Sequence, residues 1–169
     1  ELAKENDIVI VSLHWGNEFL SFPSHTQRSF ARTLIDNGAH IVYGHHCHCL
    51  PGHEQWKHGH IFYNLGNFIF GNLDSLPRPL IWSKKSRRGL VAQFAFENGR
   101  IHKIESYYSY QAGLKVEIDH GKDRILDMIK LCKPLSYSNR KYLLFFRTLT
   151  YYEDFIRSIF NKFPGIRKI

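Results

Sequence analysis

This 169-residue chain predicts an α/β fold built on parallel strands. Three observations carry that class. Short β-branched apolar runs at 7–13 and 40–43 read as strands. A segment with helical apolar spacing lies between them. Turn residues mark both junctions, so strand, helix and strand fit within about 35 residues as a βαβ unit. The two strands then run parallel as near neighbours, with their C-terminal ends pointing the same way. Open α/β sheets place their sites at that end.

The elements follow in order. Glu1 to Asn6 look like the end of a helix leading into the first strand, and without an initiator methionine the natural start is expected upstream. Residues 7–13 read as a buried strand, because polar alternation is absent until Ser12. Residues 15–25, rich in Gly, Asn, Ser and Pro, form a loop. Residues 26–37 form a helix with Phe30, Ala31, Leu34 and Ile35 on one face, capped by Ser24 or Thr26 and ended by Gly38. After the second strand comes a polar loop, 51–60, carrying His53, His58 and His60. Ile61 to Tyr63 give a further short strand, and Asn64 to Phe68 a turn leading into Ile69 and Phe70. Residues 71–88 are irregular, with Pro77, Pro79 and a basic cluster of Lys84, Lys85, Arg87 and Arg88. Two strands, 89–96 and 100–108, flank Asn98-Gly99, a strong hairpin signal. This section ends near Val116.

The chain divides into a body, 1–118, and a basic helical tail, 119–169. The tail holds eleven Lys/Arg against five Asp/Glu, a net of +6, and the body keeps only +2 of the total of +8. Tyr142, Phe145, Phe146, Leu149, Tyr152, Ile156, Ile159, Phe160 and Phe163 follow helical spacing, with Arg140, Lys141, Arg147, Arg157 and Lys162 mostly off that stripe. The stripe is expected to pack on the body or on a partner. The alternative is an anionic membrane surface met through 140–163. Nucleic acid is disfavoured, since no recognised module accompanies the basic tail.

Three cysteines, Cys47, Cys49 and Cys132, make no disulfide framework, and the first two are too close in sequence for an ordinary structural bridge. They leave the compartment undecided between cell envelope and cytoplasm. No apolar run is long enough to span a bilayer.

Histidine carries the chemistry. Seven of the eleven lie between His40 and His60. His14 ends the first strand, and Gly44-His45-His46-Cys47-His48 ends the second. Neutral imidazole suits Zn, Fe, Mn and similar ions. In an extended segment His46 and His48 point the same way, so with His14 they can serve one metal or bridge two. His45 alternates away and reads as a supporting residue. Glu18 and Asn67 sit in loops near the same ends, Glu18 as ligand, base or support for a histidine, and Asn67 as a donor to substrate. A thiolate zinc site at Cys47, His48 and Cys49 lacks an evident fourth ligand.

An ordered set of motifs resembles a known family. His14-Trp15-Gly16-Asn17-Glu18, Pro23, Gln27, Leu34 to Ala39, Gly44 to His48 and Tyr63 to Phe68 resemble the CapA-type bacterial capsule-synthesis proteins, over about 7–105. That family is associated with poly-γ-glutamate capsules and is related to calcineurin-like metallophosphoesterases. The resemblance implies the C-terminal part of a four-layer α/β/β/α fold with a dinuclear metal centre. His14 matches the family's isolated ligand histidine, and His46 and His48 its late His-x-His pair. Cys47 stands where the family usually has proline. The early Asp-x-His or Asp-x-Asp, Gly-Asp and Asn-His motifs are absent.

Function follows as an expectation. The resemblance implies a capsule-polymer biosynthesis protein with a metal-dependent hydrolase site, incomplete in this chain, using two divalent ions of the Mn, Fe or Zn kind. Its partner would be an anionic polymer or the phosphorylated carrier of one. The alternative is a non-catalytic component that binds polymer or membrane within a capsule machine. If the chain is a fragment, an exposed sheet edge and poor solubility follow.

Overall fold

The structure, a computed structural model, describes residues 1–72, 82–119 and 132–162, with side chains up to residue 152. Pro77, Pro79, Phe163 and the side chains of Ile156, Arg157, Ile159, Phe160 and Lys162 therefore lie outside the described residues, as does most of the stretch where the tail was expected to begin.

A short helix α1 (Leu2–Glu5) leads into β1 (Ile10–Trp15). Helix α2 (His25–Asp36) follows, and then β2 (Ile41–His46). β1 and β2 pair in parallel, with Ile10 opposite Ile41 and Trp15 opposite His46, as the βαβ reading requires. Ser24 starts α2 through a capping box. Its hydroxyl accepts from the Gln27 amide while the Gln27 side chain accepts from the Ser24 amide. Gly38, with φ +98, ends the helix in the left-handed conformation that favours glycine.

Residues 51–60 are not a loop. They hold β3 (His53–Trp56) and the start of β4 (Gly59–Phe62), a hairpin that completes a sheet of order β1-β2-β4-β3. β4 is parallel to β2, and β3 is antiparallel at the edge. The polar composition hid β3 because its inward residue is Glu54, buried with polar partners in place of an apolar side chain.

A second, antiparallel sheet contains β5 (Arg88–Glu97), β6 (Arg100–Ala112) and β7 (Lys115–Ile118). Asn98 and Gly99 turn between β5 and β6 with φ of 50° and 74°, the geometry their sequence predicts. β6 runs four residues past the expected end, and β7, where no strand was expected, pairs with that extension.

Two cores define the layers. Ala31, Ile35, Ala39, Val42, Ile61 and Tyr63 pack with Leu135 and Tyr142 on the helical side of the first sheet. Ile41, Phe62 and Leu90 pack between the sheets, with Tyr43, Phe94, Ile104 and Tyr108 against them. The arrangement is helix on sheet on sheet.

The tail joins the first core. A 3-10 turn (Lys133–Ser136) precedes helix α3 (Asn139–Lys162), and Tyr142, Phe145 and Phe146 face the body. Tyr152 departs from the predicted stripe and is 62% exposed. None of the described helices is long and apolar enough to cross a membrane.

Two expectations about burial fail for related reasons. β1 alternates between exposed and half-buried positions, with Ile10 exposed, because it is an end strand of its sheet with only one face on the helices. Phe30 lies outside the buried face of α2. Arg28 instead shares the buried face with Ala31 and Ile35.

Candidate metal-binding site at the strand ends

Parallel pairing brings the ends of β1 and β2 side by side. In that register His14 lies opposite His45, and regular alternation would put His46 on the other face, with Val42 and Gly44. The backbone breaks the alternation. His46 has φ 102° and His48 φ 51°, both in the region that disfavours side chains with a Cβ. Strain of this kind costs of order 1–3 kcal/mol per residue and collects at functional sites. Its result here is that the His46 ring meets His14, with Nε2 of His14 3.1 Å from Nδ1 of His46 and ring centres 4.8 Å apart.

That separation suits a shared cation. Two imidazole nitrogens bound tetrahedrally to one zinc ion, each at about 2.0–2.1 Å, stand roughly 3.3 Å apart. The pair is open to solvent on the His14 side.

His48 is held differently. Its Nδ1 lies 2.8 Å from Oδ1 of Asn67, whose amide nitrogen donates to the Ser86 carbonyl at 2.8 Å. Asn67 is buried, and its acceptor oxygen selects the His48 tautomer with hydrogen on Nδ1, leaving Nε2 with a lone pair. Rings of Trp82, Phe70 and Phe19 surround His48 at 4.8, 5.1 and 6.1 Å. The His46 and His48 rings stand 6.5 Å apart, because the segment curls after His46 where an extended path was expected. Accordingly, no group of three His, Cys, Asp or Glu side chains closes a metal site among the described residues.

The other expected residues are placed as follows. His45 is exposed and packs edge-on against Tyr43, 5.1 Å away. Glu18 is exposed on the loop after β1, and the hydrogen bonds of His14, His46 and His48 do not involve it. Cys47 and Cys49 are buried thiols not joined in a disulfide, with their sulfurs 3.3 Å apart. The Cys49 thiol pulls the Cys47 thiol below its ordinary pKa by hydrogen bonding, against the upward push of burial.

Further residues build this region, among them Gly44 of the motif and aromatics that sequence reasoning did not assign to the site. Gly44 has no room for a side chain, since a Cβ there would meet the Tyr63 carbonyl oxygen at 2.1 Å and Trp15 Nε1 at 2.4 Å. Those two atoms hydrogen-bond each other at 3.1 Å and tie the end of β1 to the end of β4. Trp82, Phe70 and Phe19 enclose His48 although they are far apart in sequence. Scattered aromatics in loops gave no signal that they would converge.

Residues 1–72 match the family model described as bacterial capsule synthesis protein PGA_cap. Over that part, the chain is similar to the PGA_cap capsule-synthesis family. The capsule biosynthesis protein CapA of Bacillus anthracis is 38% identical over 93 residues, which are 55% of this chain and 21% of that protein. The PGA biosynthesis protein CapA of Bacillus subtilis strain 168 is 47% identical over 70 residues, 41% of this chain and 18% of that protein. The chain thus matches about a fifth of the length of these relatives. His14, His46, His48 and Asn67 all fall inside the family-matched segment.

Proposed function

We propose that this chain supplies one flank of a metal-dependent, phosphoesterase-like hydrolytic centre in a capsule-polymer biosynthesis protein. The observation that carries the reading is the His14–His46 nitrogen pair, 3.1 Å apart at the ends of two parallel strands inside the family-matched segment. The helix-on-sheet-on-sheet arrangement would then be three layers of a four-layer α/β/β/α fold.

In this reading His14 Nε2 and His46 Nδ1 hold a divalent ion of the Mn, Fe or Zn kind. When bound, such an ion supplies Lewis-acid activation of a phosphoryl or acyl oxygen. Asn67 fixes the tautomer and rotation of His48, whose free Nε2 serves a second ion or the substrate. Trp82 and Phe70 pack against the His48 ring and shield part of it from solvent. A metal pair also needs bridging or terminal carboxylates, which would come from the rest of a longer protein. The substrate would be an anionic capsule polymer or its phosphorylated carrier.

Calorimetric titration of Zn2+ or Mn2+ into the 169-residue chain tests this. We expect weak uptake of a single ion, lost in His46→Ala. Tight uptake of two ions would overturn the single-flank assignment. Equal binding by wild type and His46→Ala would overturn the site.

A second reading, a surface that lies on anionic membrane, is favoured by one observation. Arg140, Leu144, Arg147 and Tyr151 share one face of α3 and are all exposed. Co-sedimentation with phosphatidylglycerol vesicles, lost in Leu144→Ser/Tyr151→Ser, would support it. No retention at low salt would refute it.

A further inference from the structure

We propose that Cys47 and Cys49 form a redox-active dithiol that closes into an intrachain disulfide, and that closure draws His48 away from Asn67. The consequence for metal binding rests on the role proposed above for His48. The disulfide chemistry does not.

The two sulfurs are 3.3 Å apart, inside ordinary van der Waals contact. A disulfide bond is about 2.05 Å long, so the sulfurs need to approach by only about 1.2 Å. The backbone already provides the curl. His48, between the two cysteines, is left-handed, and Cys47 Sγ reaches back to the Cys49 carbonyl at 3.5 Å. Neighbouring chain holds the curl in place. The Phe19 amide donates to the Cys47 carbonyl at 2.7 Å, and Cys49 Sγ lies 3.2 Å from the Leu20 carbonyl. Cys132 is engaged elsewhere, accepting from the His53 amide on β3.

Burial restricts the oxidant to a small one, and hydrogen peroxide is the class we name. One sulfur, as thiolate, attacks a peroxide oxygen. The O–O bond breaks, hydroxide leaves, and a sulfenic acid remains. The second sulfur attacks the first, the S–O bond breaks, and hydroxide leaves again. Both thiol protons end in the two waters formed, the sulfur pair loses two electrons, and the peroxide gains them. A ring closed across a single intervening residue is strained and therefore readily reduced, which makes a switch and not a staple.

His48 is the residue enclosed in that ring. Its backbone must change for the sulfurs to bond. Its Nδ1 contact to Asn67 at 2.8 Å and its packing against Trp82 at 4.8 Å must change with it.

The test uses the full chain carrying Cys132→Ser, treated with hydrogen peroxide and then with dithiothreitol. We expect a monomer lighter by two hydrogen atoms, loss of both thiols to titration after denaturation, and full recovery on reduction. Cys47→Ser or Cys49→Ser in that background should form no intrachain bond. Histidine-labelled NMR, with His48→Gln giving the assignment, should show the His48 resonances move on oxidation and return on reduction. Thiols that survive, oxygen adducts without hydrogen loss, or linked dimers would overturn the dithiol. A disulfide that leaves His48 unmoved would overturn the coupling. Failure of wild-type metal binding would sink the function proposed above and leave the thiol result standing.

Discussion

The polar cluster under the helices and the imidazole pair at the strand ends rest on the same sheet but differ in how far their hydrogen bonds are satisfied. Arg28 is fully buried. It donates to the Leu135 carbonyl at 2.7 and 3.2 Å, to the Tyr137 carbonyl, and to Asn139 Oδ1 at 3.0 Å, with its guanidinium over the Tyr142 ring. Beside it Arg32 pairs with Glu54, and Glu54 accepts from Tyr63 at 2.6 Å. Burial and the adjacent carboxylate raise the Tyr63 hydroxyl well above its ordinary pKa, so it stays protonated and donates. His14 and His46 have each other and solvent. A closed network fixes structure, because every member lost strands another. An open pair on a strained backbone leaves lone pairs for a ligand.

Arg28→Ala should have the largest effect. It leaves the Tyr137 carbonyl without its arginine donor, leaves the Leu135 carbonyl only Arg32 at 3.0 Å and removes the cation over the Tyr142 ring, and an unsatisfied buried group costs about 1–3 kcal/mol. We expect a loss of about 3–5 kcal/mol in urea unfolding, with residues 133–142 released from α2 and exposed to protease. A loss below about 1 kcal/mol would show that the cluster is not what holds the tail to the body.

The two clusters were unequally legible in the sequence. The histidine motif was visible because His14 and Gly44 to His48 each end a β-branched run, and the βαβ rule makes such ends neighbours. The helix start, read as capped by Ser24 or Thr26, and the Asn98-Gly99 turn were legible as local chemistry. The Arg28 cluster was not. A buried arginine on a helix reads as a surface residue until the carbonyls of Leu135 and Tyr137, more than a hundred positions away, are known to face it. The β3 strand was missed through the same network, because its inward residue is Glu54. At the site itself, alternation predicted that His46 and His48 would share a direction. The positive φ angles at both positions, which no pattern of side-chain types announces, sent them to different partners.

A third polar group separates burial from function. His53 is held down to a pKa of about 4, first by burial and then by the neighbouring His60, and it stacks on Phe62 at 4.4 Å. His60 is lowered by burial in the same direction. A histidine depressed in the folded state binds fewer protons than in the unfolded chain, whose value is about 6.5. Stability is therefore highest above about pH 6.5 and falls as pH drops toward 4, by about 3 kcal/mol at most from His53. Chemical denaturation at stepped pH should show this slope, and His53→Gln should flatten it. An unchanged slope in the variant would place the proton uptake elsewhere.

The smallest effect on stability is expected at the imidazole pair. His14 is exposed on an end strand, and its side-chain hydrogen bond among the described residues is to another histidine, so His14→Ala should change unfolding by no more than about 0.5 kcal/mol. Near-neutrality in stability gives the substitution its value. Joined to loss of the weak Zn2+ or Mn2+ uptake expected in calorimetry, it would separate ligand binding from folding in a way Arg28→Ala cannot. A loss of several kcal/mol would instead mean that the pair is structural, and that the strain at His46 is offset by the contact it makes with His14.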